Sequence, residues 1–146
     1  MKRILGLCVV LAGLFNIPAV TAQNAQEVTF GGYIVNYNTF PSTFLDQNIA
    51  KAAGIKRSDT QAVITIAIRK HMPGASDKAV KAVVAGTATN LIGQIRKLNL
   101  SEVKEGSAIY YIGDFTFVSG EQMTFNMSVI PEGEKVKQEF QFMRQY

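Results

Sequence analysis

The sequence predicts an all-β protein, an immunoglobulin-like antiparallel β-sandwich of roughly seven strands with one short helix near residues 47–53. Apolar residues recur with a period of two in short runs, as half-buried strands require. Turn residues such as Pro73-Gly74, Lys104-Glu105-Gly106, Ser119-Gly120 and Pro131-Glu132-Gly133 punctuate those runs. No strand-helix-strand rhythm is present, and the alternative that shares these features is a small closed barrel.

Val28 to Thr39 reads as a strand, with Tyr33, Val35 and Tyr37 on one side and Ile34, Asn36 and Asn38 on the other. Pro41 brings no N–H and ends that ladder. Asp46 then suits the N-cap of a helix over Gln47 to Ala53, and Gly54 suits the left-handed position that closes it. Ile49, Ala52 and Ala53 form the expected buried face.

From Gln61 a strand places Ala62, Ile64, Ile66 and Ile68 inward and Gln61, Thr65 and Arg69 outward. His71 to Asp77 is a loop, Val80 to Leu91 a central strand, and Ile95 to Val103 a further strand with Leu98 and Leu100 as core residues. Ala108 to Phe117 and Gln122 to Ile130 read as a hairpin joined at Ser119-Gly120, with Met123, Phe125, Met127 and Val129 turned inward. The last strand carries Val136, Phe140, Phe142 and Tyr146 on one side.

Lys2-Arg3 followed by an apolar run from Ile4 to Phe15 has the form of a secretory signal, too short for a good membrane span. Val20-Thr21-Ala22 predicts cleavage after Ala22, giving a signal over residues 1–22 and one exported, periplasmic domain over 23–146 with no stable membrane span. The one cysteine, Cys8, lies inside the signal, preceded by Leu7 where a lipid-anchoring signal needs a small residue. The mature chain then has no thiol, which excludes disulfides, cysteine nucleophiles and thiolate metal ligands. The formal charge is +4, of which Lys2 and Arg3 supply two, and the other lysines are scattered among acids. A solvated surface follows, and no nucleic-acid partner.

Several spaced segments carry a resemblance. They are Tyr33, Val35, Tyr37 and Asn38 with Ser42-Thr43-Phe44-Leu45; Ala53-Gly54-Ile55 with Arg57-Ser58; Gly86, Ala88 and Asn90-Leu91; Glu105-Gly106 with Ala108-Ile109-Tyr110-Tyr111-Ile112; and Phe125, Val129 and Pro131. In this order they resemble a family of small exported gammaproteobacterial proteins catalogued only as a domain of unknown function. The resemblance implies export and an all-β domain, and it supplies no activity, cofactor or catalytic residue. In that family a histidine often stands where this chain has Asn36.

Candidate chemistry is sparse. His71 lies in a turn with no nucleophile motif beside it, and Asp114 sits on an outward strand position, so no catalytic residue is assigned and a hydrolase is the weaker alternative. His71, Met72, Met123, Met127 and Met143 are the residue types of a periplasmic copper carrier, the other alternative. Met123 and Met127 instead share the face of Phe125 and Val129, the place of gap-filling core methionines, so no cofactor or metal site is expected. Asn38, Ser42, Thr43, Thr89 and Asn90 place amides and hydroxyls at two strand ends and would line a polar pocket if those ends met. The default function is a binding or accessory domain for an unidentified envelope protein or peptide, with the first and last strands as candidate edges and Lys135 and Lys137 beside Glu139 blunting one of them.

Overall fold

Two antiparallel sheets face each other across residues 26–146, the part of the chain that the structure, a computed structural model, describes. The expected signal over residues 1–22, with Cys8 and the cleavage site, lies outside the described residues. The first sheet runs in the order β1 (Gln26–Phe30), β2 (Tyr33–Pro41), β3 (Gln61–Lys70), β8 (Ala108–Thr116) and β7 (Ser101–Glu105), with β4 (Lys78–Ala79) paired to the end of β3. The second runs β10 (Gln138–Gln145), β9 (Gln122–Pro131), β5 (Ala82–Asn90) and β6 (Ile95–Lys97). The all-β sandwich is as expected, with ten strands rather than seven among the described residues.

Alternation in β3 and β9 fixes the core. Ala62, Ile64, Ile66 and Ile68 are fully buried, and Met123, Phe125, Met127 and Val129 meet them from the opposite sheet. Val63 is fully buried too, because the other face of β3 is covered by α1 (Gln47–Ala53) and its flanks, where Leu45, Ala50, Ile55 and Ile112 form a second cluster. That helix is capped as predicted: the Asp46 carboxylate accepts the N–H groups of Asn48 and Ile49, and Gly54 takes φ 69°. Its buried residue is Ala50, with Ile49 and Ala53 half-buried; Ala52, expected inside, is exposed.

The corrections concern where the chain turns. Val28 to Thr39 is two strands, folded at Gly31-Gly32 with φ 55° and 77°, a pair of conformations that glycine adopts without strain. Val80 to Leu91 is not one strand: β4 ends on the first sheet, the Val80 N–H still bonds Ile68, and β5 begins on the second. Ile95 to Val103 likewise divides into β6 and β7 on different sheets, with Leu98 buried at the crossing and Leu100 half-buried. Ser119-Gly120 does not close a hairpin, since β8 and β9 belong to opposite sheets and the turn arches between them. Val136 is exposed and precedes β10.

Gly113 of β8 faces inward where the second crossing passes, and a Cβ there would lie 2.7 Å from the Asn99 carbonyl oxygen and 2.9 Å from Leu100 Cδ2. Backbone cannot yield as a side chain does. Gly113→Ala is expected to lower stability by about 1–3 kcal/mol in urea unfolding. Gly86→Ala, whose Cβ would meet the flexible Met127 thioether, is expected to cost less in the same measurement.

Candidate functional site

The polar residues read from the sequence fall into two separate networks. Ser42 is fully buried; its Oγ donates to the Ser58 carbonyl at 2.9 Å and accepts the Ser58 N–H at 2.8 Å. Arg57 donates to the Thr43 carbonyl, and Asn38 Oδ1 accepts the Thr39 N–H at 2.9 Å. On the other sheet the Asn90 amide donates to Gln94 Oε1 at 2.9 Å and to Glu121 Oε1 at 3.0 Å, and Thr89 lies within β5 between Ile95 and Thr124. Among the described residues no hydrogen bond joins the two groups, so Asn38, Ser42, Thr43, Thr89 and Asn90 do not form the expected pocket. The cause is topological: Asn90 is tied to the β8–β9 arch, whereas Asn38 lies on β2 of the other sheet, opposite Thr65 of β3.

The end of β2 carries a groove that the sequence did not reveal. About 1010 Å³ in volume, it runs between Asn38–Pro41 of β2 and Met143–Tyr146, with Gln26 and Phe117 also in its wall. Gln26 Oε1, Thr39 Oγ1 and Tyr146 OH are buried side-chain atoms without a hydrogen-bond partner among the described residues, and all three residues line this one groove. The Thr39 hydroxyl and the Tyr146 phenol are neighbours in it, so the groove wall is polar where the two strands approach. Burial pushes the Tyr146 phenol up to about 12, while the neighbouring Thr39 hydroxyl and the Arg144 charge pull the other way. A second concavity of about 820 Å³, beside Gly86, Asn126 and Gln141 of the second sheet, holds no such atom.

One wall of the groove, β10, is an outermost strand among the described residues. The Tyr146 N–H donates to the Glu121 carbonyl at 2.9 Å, so by alternation Met143 and Gln145 turn their N–H and C=O groups away from β9 to the open side. On β2, Tyr37 pairs with Gln26, the first described residue, and the Thr39 N–H is met by its neighbour Asn38. The last strand is thus an edge, as expected, and β1 forms the outer margin beside β2.

His71 stands elsewhere. Its Nδ1 is 3.0 Å from Asp77 Oδ1, and Asp77 also accepts from Arg69 at 3.2 Å and from the Met72 N–H at 3.4 Å. Burial alone would raise the Asp77 pKa, but the bonds from His71 and Met72 and the charges of His71 and Arg69 hold it below the usual range. The Pro73-Gly74 turn brings Asp77 back to His71. Asp114 lies at the far end of β3 and accepts from Gln61 instead. No hydroxyl is bonded to the His71 ring among the described residues. Met123 and Met127 are buried between the sheets and Met143 is exposed on β10, so the thioethers do not converge on the His71-Met72 loop. No cluster of three or more His, Cys, Asp or Glu side chains able to hold a metal occurs among the described residues.

Residues 27–146 match the family model DUF4426, described as a domain of unknown function. The chain belongs to the DUF4426 family. A crystal structure of a DUF4426 protein from Pseudomonas aeruginosa is 35% identical, with a TM-score of 0.73, over 83% of this chain and 93% of that one. No curated protein matches the sequence. The segments that carried the resemblance lie within the matched range, and several do structural work in this DUF4426 chain: Ser42 and Ser58 clasp the corner, Gly54 closes α1, and Gly106 turns β7 into β8.

Ser42→Ala would strand the Ser58 N–H and C=O and is expected to cost about 1–3 kcal/mol in denaturant unfolding. Tyr146 gives a pH signature. An unfolded tyrosine ionises near pH ~10 whereas folded Tyr146 ionises at about 12, so its stabilisation is complete below the first value and lost as pH climbs through the second. Tyr33, raised by its hydrogen bond to Glu134, and Tyr111, raised by burial, act in the same direction. Melting temperatures measured across this window are expected to fall less steeply for Tyr146→Phe than for the natural chain.

Proposed function

We propose that this DUF4426 protein is an exported, periplasmic accessory domain that binds an envelope partner by taking an extended polypeptide segment into the groove between β2 and β10. The observation that carries this reading is a groove that gathers the buried polar side chains of Gln26, Thr39 and Tyr146 beside the open edge of β10. An incoming strand brings a donor and an acceptor per residue, which can pair with the open edge at Met143 and Gln145 while its side chains reach those polar groups. Export is supported by Lys2-Arg3, the apolar run Ile4 to Phe15 and Val20-Thr21-Ala22. No helix among the described residues is long and apolar enough to cross a membrane. In this reading the domain acts by binding rather than catalysis, and it needs no cofactor.

A photo-crosslinking residue placed at Asn38 or Gln145 in the exported protein is expected to yield a discrete partner adduct that the same residue at Lys135 does not. Thr39→Val and Tyr146→Phe keep the shape of the groove wall and the ring contacts of residue 146, so both variants are expected to stay folded in thermal melts. Each is expected to weaken the adduct about tenfold. Equal adducts from groove and control positions, or adducts indifferent to both variants, would overturn the proposal.

A further inference from the structure

The outer face of the second sheet forms a trough. Strand register sets Lys97 of β6, Thr87 of β5, Asn126 of β9 and Gln141 of β10 in one row across it, with Ala85 beside Ser128 in the next. Alternation turns these residues away from the core that holds Ala88, Phe125, Met127 and Phe142. The two central strands contribute short side chains and the two outer strands long ones, so a floor of Ala85, Thr87, Ser128 and Asn126 lies between raised walls. Those walls stand about 14 Å apart, three strand spacings. The concavity between them is about 820 Å³, a size that suits a small-molecule ligand.

Its floor is neutral and rich in hydrogen-bonding groups. Gln141 Nε2 donates to Asn126 Oδ1 at 2.7 Å, and no other hydrogen bond among the described residues engages either amide. Asn126 Nδ2 and Gln141 Oε1 therefore present a donor and an acceptor side by side, held by the bond between the other two atoms. Thr87 adds a hydroxyl, able to donate or accept, in the same row. Of the charged residues on the walls, Glu139 is held by Lys137 at 2.8 Å, and Lys97 stands on the far side. Ile95, 70% exposed, gives the Lys97 wall an apolar surface.

The ladder between β5 and β9 is continuous from Ala82 to Asn90, so the floor has no main-chain group to offer an incoming strand. Recognition falls to side-chain amides and hydroxyls. The ligand that fits must meet a fixed donor and a fixed acceptor next to each other without bringing charge onto the floor.

We propose that the trough binds a neutral oligosaccharide through a pair of vicinal hydroxyls, one accepting from Asn126 Nδ2 while its neighbour donates to Gln141 Oε1. The C–H face of the ring then lies toward Ile95, and Thr87 meets a further hydroxyl. The trough shares no lining residue with the groove between β2 and β10, so this inference stands apart from the binding of a polypeptide there.

The test is titration of the purified protein with three tetrasaccharides, followed by calorimetry and by NMR of the amide groups. Cellotetraose and maltotetraose carry vicinal hydroxyls on their interior rings, whereas chitotetraose has an acetamide in place of one of them. Binding of cellotetraose or maltotetraose is expected, about fivefold tighter than that of chitotetraose, with the side-chain amide signals of Asn126 and Gln141 moving. Asn126→Asp, which keeps the acceptor for Gln141 and removes the free donor, is expected to weaken binding about tenfold. Ala85→Phe fills the floor from an exposed position and is expected to abolish it. Thr39→Val, in the other groove, is expected to bind saccharide as the natural chain does. Melting temperatures of the variants separate lost binding from lost folding. No binding of cellotetraose or maltotetraose would overturn the inference, as would equal binding of all three or binding indifferent to Asn126→Asp. Self-association that Ala85→Phe abolishes, without saccharide binding, would assign the face to a second copy of the chain and overturn it as well.

Discussion

A row of aromatic rings holds the two sheets together. Tyr37 of β2 lies 4.5 Å from Phe142 of β10, Phe142 stacks on Phe125 of β9 at 4.7 Å, and Phe125 meets the edge of Phe115 of β8 at 5.0 Å. The row passes from the first sheet to the second and back, so neither sheet can slide without breaking ring contacts worth about 0.5–1.5 kcal/mol each beyond their buried area. The groove is a consequence of where the row ends. Tyr146 packs against Phe115 and Phe117 at 5.4 and 4.8 Å, which draws it into the groove and sets its hydroxyl beside Thr39.

Where the chain passes between sheets, polar ties replace ring contacts. Tyr111 of β8 faces inward and its hydroxyl accepts the Ala82 N–H at 2.7 Å, at the residue where β5 begins on the second sheet. The same hydroxyl donates to Glu102 of β7 at 3.3 Å. Gly113, two residues on, leaves room for Asn99 and Leu100 at the next crossing. β8 therefore receives both passages of the chain, and its sequence of a large inward residue followed by glycine is what admits them.

Features set by neighbours in sequence were legible before the fold was known. The alternation of Ala62, Ile64, Ile66 and Ile68, that of Met123, Phe125, Met127 and Val129, and the Asp46 to Gly54 helix all depend on local geometry. Sheet membership was not legible, because a period of two states which face is apolar and says nothing of which sheet a strand joins. Leu98 keeps the alternation through a crossing, and Ser119-Gly120 has hairpin chemistry while serving as an arch. Gly31-Gly32 was a readable hairpin signal, outweighed by the regular pattern of Tyr33, Val35 and Tyr37. For the groove, Asn38 and Thr39 were visible as a polar break in a strand. Gln26 and Tyr146, which also line it, stand at opposite ends of the described chain and are joined only by the fold.

The alternation of sheets along the chain has a kinetic consequence. β1 to β4 belong to the first sheet, β5 and β6 to the second, β7 and β8 to the first again, and β9 and β10 to the second. A polypeptide that appears N-terminus first, from a ribosome or from a translocation pore, has β5 waiting for β9 and Ile64, Ile66 and Ile68 waiting for Phe125 and Met127 until its final segment arrives. Closure is then a single late event of high contact order, slow by the standards of small domains. Such a chain cannot close its core before its final segment arrives, and it cannot lose its last two strands without losing the partners of β5.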